Sequence, residues 1–294
     1  MELDSSPAPT LTHVGLLTEK IESLVETWER LFLVERTERR PTWYASDEGV
    51  LATYLPFPGG PVEPIQPIDP CTMQRRLFDS GTRGFHLSLV VPDVHAAVAT
   101  LRARGAWTQL RRPGRTVTLH RGWVDLSSAH GTTIELIDGT ELAGFRSAGR
   151  APRIDFNPLT PTLRCVGLVV EELDAAVDFY TAGLGFTEQL PRARTHVLGE
   201  EVDMVGLVPG SGLSIEMIRG VAPTRLHRRL GIPAPGIAYL GFESSALTDL
   251  ARHLDASEAR TAEVRTEGAP VELWIHPDST GGVAVRIRQA PQTV

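Results

Sequence analysis

His13-Val14-Gly15-Leu16-Leu17 opens the first long apolar stretch of the chain, and its shape returns three times. The later copies are His86-Leu87-Ser88-Leu89-Val90, Cys165-Val166-Gly167-Leu168-Val169 and Tyr239-Leu240-Gly241-Phe242-Glu243. In each copy a chemically distinctive residue is followed two places later by a small one. Four copies of one supersecondary unit in one chain make an internal repeat. The ends of the first two units match as well. Glu63, in Val62-Glu63-Pro64-Ile65, lies 50 positions after His13, and Glu135, in Thr133-Ile134-Glu135-Leu136-Ile137, lies 49 after His86. A polar residue at the start and end of two similar units reads as one site built twice over. We expect His13, Glu63, His86 and Glu135 to bind one divalent metal in the first half, and the second half to be a copy without it.

The rest of each unit follows a common pattern. In the first, the strand at 11–17 precedes an amphipathic helix at about 20–32, with Ile21, Leu24, Val25, Trp28 and Leu31 at helical spacing. Residues 35–67 alternate and carry turn signals at Ser46-Asp47-Glu48-Gly49 and Pro58-Gly59-Gly60-Pro61, so they read as three antiparallel strands. The unit is therefore βαβββ. A connector with a short helix at 72–78 leads to the second unit, whose helix starts after Pro92-Asp93 and ends at Gly105. In the third unit a helix begins at Leu173–Tyr180 and is broken by Gly183-Leu184-Gly185-Phe186. Residues 143–160, rich in Gly, Pro, Ser and Arg, lack periodicity and read as a linker between a domain at 8–142 and one at 161–291.

Composition bounds the function. At 294 residues the chain fits two domains of ordinary size, and 41% hydrophobic with 22% charged residues is ordinary for a globular protein. A net charge of −7 argues against a nucleic-acid partner, which needs a basic surface. No apolar run approaches the roughly 20 residues that span a bilayer, so no membrane partner is expected. The acidic, polar start Met1-Glu2-Leu3-Asp4-Ser5-Ser6 is no secretory signal, and two cysteines, Cys71 and Cys165, fit a reducing cytoplasm.

The repeat, together with Val62-Glu63-Pro64-Ile65-Gln66-Pro67, Gly84-Phe85-His86 before Val91-Pro92-Asp93, and His276-Pro277-Asp278-Ser279-Thr280-Gly281-Gly282-Val283, resembles the vicinal oxygen chelate superfamily. This is the glyoxalase, bleomycin-resistance and dioxygenase type. The first half is most similar to its methylmalonyl-CoA epimerase-like members. The resemblance covers nearly all of residues 11–290. It implies an α+β fold of four βαβββ modules forming two tandem domains with cup-shaped mixed sheets. It also places the family's metal positions on His13, Glu63, His86 and Glu135, a donor set suited to Zn, Ni, Co, Mn or Fe(II). No organic cofactor is implied. The same positions in the second half fall on Cys165, Glu216, Tyr239 and Arg286. We expect this set to be a degenerate site in which Arg286 pairs with Glu216, because an unpaired buried carboxylate is costly.

The resemblance implies Lewis-acid catalysis on a small-molecule substrate and a base near neutral pKa. The epimerases' base position, matched onto Glu48-Gly49-Val50-Leu51, falls on Ala52, so the residue is absent. Glu135 or Glu63 is then expected to serve as the base, the alternative being that the four residues serve a different chemistry. We expect an isomerase or epimerase working through a metal-stabilised enediolate. The alternatives are a glyoxalase I-like lyase, a ring-cleaving dioxygenase and a metal-free drug-sequestering protein. With four modules the chain can pair its halves internally as a monomer, and a homodimer stays open. Asp47 and Glu48 read as turn acids, Arg111-Arg112 and Arg228-Arg229 as solvated faces with an anionic substrate tail as the alternative, and His120 and Trp123 as packing residues with a place in the lining of the first cup as the alternative.

Overall fold

Period-2 alternation and short turns set the strands, and the computed structural model describes residues 8–35, 43–45, 48–112, 120–139, 155–232, 235–266 and 269–291. The first unit is β1 (Thr10–Leu17), α1 (Ile21–Phe32), β2 (Trp43–Ala45), β3 (Val50–Ala52) and β4 (Val62–Pro67). After α2 (Met73–Asp79), the second is β5 (Gly84–Val91), α3 (Val94–Ala103), β6 (Thr108–Arg111), β7 (Arg121–Val124) and β8 (Thr133–Asp138). The third is β9 (Thr162–Val169), α4 (Leu173–Asp178), β10 (Thr187–Val197), β11 (Glu200–Val208), β12 (Ser211–Gly212) and β13 (Ser214–Gly220). After α5 (Pro223–Leu230) come β14 (Gly236–Ser244), α6 (Leu247–Ala256), β15 (Thr261–Thr266), β16 (Ala269–Ile275), the one-turn α7 (Pro277–Thr280) and β17 (Ala284–Gln289).

The units pair within each half. One curled mixed sheet has the order β2-β3-β4-β1-β5-β8-β7-β6, and the other β10-β11-β13-β9-β14-β17-β16-β15. Each unit's first strand runs parallel to its last. The first strands of neighbouring units meet antiparallel at the sheet centre. The architecture is thus α+β, two tandem half-barrels of the kind the resemblance implied. The two-residue β12 adds to the first sheet, with Thr10 opposite Ser211.

Helices cover the backs of both sheets. Ile21, Leu24, Val25, Trp28, Leu31 and Phe32 of α1 are buried. They belong to one core that continues into the second half through Phe242, Leu250 and Leu254. Phe32 stacks on Phe242 at 5.8 Å, and the Trp28 indole N–H donates to the Thr280 carbonyl at 2.9 Å. Asp93 caps α3 by accepting from the His95 and Ala96 N–H groups, worth roughly 1 kcal/mol. No helix among the described residues is long and apolar enough to cross a membrane.

The central antiparallel pairs explain the small residue of the repeat. Gly15 lies opposite His86, and Ser88 opposite His13. Gly167 lies opposite Tyr239, and Gly241 opposite Cys165. Residues two apart on a strand share a face, so each small residue stands beside the distinctive side chain of the neighbouring unit. A Cβ on Gly15 would lie 2.3 Å from the His86 ring, and one on Gly167 would lie 2.1 Å from the Tyr239 ring. The repeat therefore encodes room for its partner's functional group.

Two features depart from the sequence reading, and two expectations lie outside the described residues. The helix beginning at Leu173 ends at Asp178 and continues as a wider π turn through Phe179–Gly183. α5 was not foreseen, because only Leu226 and Leu230 are buried in it and the arginines obscure the period. The linker at 143–160 falls mostly on residues 140–154, and the turn acid Asp47 on 46–47, both outside the described residues.

Candidate metal centre

The four polar repeat positions of the first half sit on β1, β4, β5 and β8, the middle of the first sheet. All four side chains are buried. The His13 and His86 Nε2 atoms are 3.2 Å apart. Glu63 Oε2 lies 3.4 Å from His13 Nε2 and 3.5 Å from His86 Nε2. Glu135 Oε2 lies 3.8 and 3.7 Å from the same two nitrogens. Ligand atoms of His13, Glu63 and His86 all fall within 4.8 Å of one another. In a tetrahedral site with bonds of about 2.0–2.1 Å, ligand atoms stand about 3.4 Å apart, so these separations match a cation-sized centre.

Glu135 differs from the other three. Its Oε1 accepts from Arg121 Nη1 at 2.8 Å and its Oε2 from the Ser88 hydroxyl at 2.9 Å. Both oxygens are held before any ion is considered. The Arg121 guanidinium also pairs with Glu48. Glu48 and Arg121 were not identified from the sequence. Glu48 does lie in the turn before β3, but its carboxylate points into the cup, so turn chemistry does not exhaust its role. Tyr54 adds a hydroxyl that donates to Glu63. Trp123 lines the cup, stacked on Phe85 at 5.9 Å and edge-on to His86 at 5.5 Å. His120 faces away, with its ring 5.6 Å from His95.

Charge makes this cluster a candidate for a cation. Glu48, Glu63 and Glu135 have side chains 11%, 12% and 7% exposed. Among the described residues Arg121 is the one guanidinium placed among them, so the cluster carries a formal −2 with neutral imidazoles. Buried charge left unbalanced is expensive. The titration of the groups follows. Burial acts against a charged His13, but Glu63 and Glu135 outweigh it and hold its pKa above the ordinary value. Burial drives His86 down to about 3, against Glu63 and with His13 and Arg121, so its imidazole is neutral. Burial raises Glu48, opposed by Arg121 and assisted by Glu135 and Glu63. Two imidazole nitrogens and two carboxylate oxygens in a pocket short of positive charge are the donor set of a divalent ion.

His86 Nδ1 is buried with no hydrogen-bond partner among the described residues. The ring is therefore set by packing against Gly15, Phe85 and Trp123. Gly15→Ala should displace it and weaken metal affinity about 10–100-fold, the usual cost of a lost supporting contact. Competition with a chromophoric chelator measures this, and unchanged affinity would remove the packing argument.

The second sheet brings Cys165, Glu216, Tyr239 and Arg286 together at the equivalent place. Arg286 Nη2 donates to Glu216 Oε1 at 2.6 Å, and Arg286 Nη1 to the Tyr239 hydroxyl at 3.2 Å. That hydroxyl donates to Glu216 Oε2. Arg286 Nη2 reaches Cys165 Sγ at 3.5 Å. One carboxylate meets one guanidinium, so no charge is missing here. Burial raises the Glu216 carboxyl, but Arg286 and the Tyr239 hydrogen bond outweigh it and hold it below the ordinary value. Burial pushes the Cys165 thiol up to about 12, which excludes a thiolate nucleophile. Arg288, 3.7 Å from Glu216 Oε1, is a further cation the sequence reading missed.

No protein-family model and no curated protein matches the chain. Solved structures do match along nearly its full length. A mutant of 4-hydroxymandelate synthase from Streptomyces coelicolor matches with TM-score 0.65 and 14% identity, covering 98% of this chain and 94% of that one. The 2,3-dioxygenase LapB from Pseudomonas sp. KL28 matches with TM-score 0.62 and 13% identity over 98% and 94%. The Mn(II)-bound glyoxalase from Novosphingobium aromaticivorans matches with TM-score 0.60 and 12% identity over 97% and 83%. At these identities the likeness shows the fold alone, which this chain shares with the synthase, the dioxygenase and the glyoxalase.

Proposed function

We propose that this chain, a tandem vicinal oxygen chelate protein, is a metal-dependent isomerase or epimerase of a small oxygenated substrate. The observation that carries the reading is the formal −2 buried in the first cup around two facing imidazoles. His13, Glu63, His86 and Glu135 would hold one divalent ion, with Zn, Ni, Co, Mn and Fe(II) all compatible with the donors. When bound, the ion supplies Lewis-acid polarisation of substrate oxygens.

The chain's own residues supply the proton chemistry. Glu63 and Glu135 are the bases expected from the sequence. Glu63 accepts from Tyr54, and Glu135 is held by Ser88 and Arg121. Glu48 stands across Arg121 from Glu135 and is outside the ligand set. We assign Glu48 and Glu135 as the pair that removes a proton beside the substrate carbonyl and returns it. Arg121 orients both carboxylates, and the Glu48 carboxyl, raised by burial, works as a base nearer neutral pH. Leu17, Ile65, Phe85 and Trp123 form the apolar wall that keeps water from the carbanionic carbon.

The test is deuterium incorporation from D2O at a substrate carbon, across an acyl-CoA, a hydroxy-ketone and a hemithioacetal. The metal-loaded wild type should exchange at least one class. Glu48→Gln should lower that rate by about 10²–10⁴-fold, the usual contribution of a positioned base, while keeping its metal. Exchange confined to the hemithioacetal favours a glyoxalase-type lyase, the second reading, which the full-length match to a glyoxalase supports. No exchange with any class, together with tight binding by metal-free protein, would leave sequestration as the function. A ring-cleaving dioxygenase would instead consume oxygen with catechols.

A further inference from the structure

The second cup has a closed floor and an open, basic mouth. A cleft of about 1050 Å³ lies between α5, the β10–β11 hairpin and the β15–β16 hairpin. Pockets of about 300–1,000 Å³ suit small organic ligands. Trp274, Ile275 and Ala284 give the cleft an apolar inner wall. Trp274 packs edge-on against Tyr239 at 5.1 Å, so this wall rests directly on the neutral Glu216–Arg286–Tyr239 network.

Arg225, Arg228 and Arg229 line the mouth. Spaced i, i+3 and i+4 along α5, they share one face of the helix, while Leu226 and Leu230 anchor the opposite face in the cup. The acids around the cleft are already engaged. Glu200 pairs with Arg229 at 3.6 Å, Glu263 with Arg265, and Glu272 with Arg288 at 2.9 Å. Arg260, also lining the cleft, pairs with Asp278 at 3.2 Å. Arg225 and Arg228 have no such partner among the described residues. Two guanidiniums without counter-charge at the edge of an apolar cleft, in a chain of net charge −7, are not explained by folding.

We propose that the second cup is a separate binding site for an organic phosphate with an apolar body. The apolar part would lie on Trp274 and Ala284, and the phosphate oxygens would accept from Arg225 and Arg228, whose planar donor forks match phosphate geometry. The site does not depend on metal chemistry in the first cup. With Arg286 in place of a metal, the second cup is left with a binding role alone.

The probe is 2-naphthyl phosphate, titrated calorimetrically into the full chain, with 2-naphthol and inorganic phosphate as comparisons. The wild type should bind 2-naphthyl phosphate at least tenfold more tightly than either comparison. Arg225→Ala/Arg228→Ala should lose at least tenfold in affinity, and raising the salt concentration should weaken the wild type towards the double variant. His13→Ala should bind as the wild type does, and the double variant should keep the wild-type metal content. These substitutions are on exposed positions, so a folded variant is expected, and circular dichroism checks it. Equal affinity in wild type and double variant would overturn the proposal. So would loss of binding in His13→Ala, which would put the anion in the first cup. Absence of binding to the wild type at millimolar probe, or phosphate alone binding as tightly as the aryl phosphate, would also overturn it.

Discussion

Purified wild-type protein will carry about one equivalent of a divalent transition metal, and His86→Ala will carry none. Electrostatics favours this uptake before geometry does. Among the described residues three carboxylates and one guanidinium share the first cup, and a protonated His13 offsets part of the remainder. A divalent ion held by His13, Glu63, His86 and Glu135 would cancel the formal −2. His86 contributes no charge, being neutral through burial, so its removal tests coordination itself. The four donors should not be equivalent. Glu63 belongs to the mutual cluster with both histidines, whereas Glu135 keeps Ser88 and Arg121 as partners. Glu63→Ala should therefore cost more metal affinity than Glu135→Ala. Ser88→Ala should lower affinity by about 10–100-fold, as loss of a ligand's supporting hydrogen bond does. Chelation should also destabilise the fold, because an ion at 100 times its Kd adds about 2.7 kcal/mol to the native state. Elemental analysis and denaturant unfolding with and without chelator read both effects. A wild type that purifies without metal and takes up none of Zn, Co, Ni or Mn would refute the centre.

The parts of the site that could be read from sequence are those that obey strand periodicity and recur. His13 and His86 stand out because each opens a copy of the same pentapeptide, and Glu63 and Glu135 because they close the same units at nearly the same spacing. A parallel pairing of first and last strand within each unit then carries them to one place. Glu48 and Arg121 follow no such rule. Glu48 occupies a turn, where an acid has a local explanation, and Arg121 sits on a strand two removed from β5. They meet only because the sheet curls, and curvature is a property of the assembled sheet that no local pattern encodes. The same holds for α5, whose arginines gain meaning from the cleft opposite them. The small residue of the repeat lies between these cases. Its recurrence was visible in the sequence, and its reason, space for the side chain across the central strand pair, was not.

Arg286→Ala should be among the most damaging single substitutions in the second half. Removing one partner of a buried ion pair leaves the other charge uncompensated, at a cost of about 3–5 kcal/mol. Glu216 and Arg286 are both buried, and their contact is 2.6 Å. Arg288 is 3.7 Å from the same carboxylate oxygen but half-exposed, so it replaces only part of the lost attraction, and the lower end of the range is expected. The pH dependence separates this from a simple cavity effect. Glu216 is held below its ordinary value of 4.5 in the folded protein, so the pair's contribution is complete above that pH. It is lost as the pH falls through the folded value, where Glu216 takes up a proton. The deficit of Arg286→Ala should therefore be full at pH 7 and shrink in acid, whereas a cavity penalty would not change. Removing both charges gives the complementary result. Glu216→Leu/Arg286→Met fills similar volume with apolar groups and should unfold within about 1 kcal/mol of the wild type, because well-packed hydrophobic replacements of buried pairs are commonly neutral. Denaturant midpoints at pH 7 and pH 4 measure all three proteins. An Arg286→Ala variant as stable as the wild type at pH 7 would mean that the guanidinium does not replace a metal's charge in this cup.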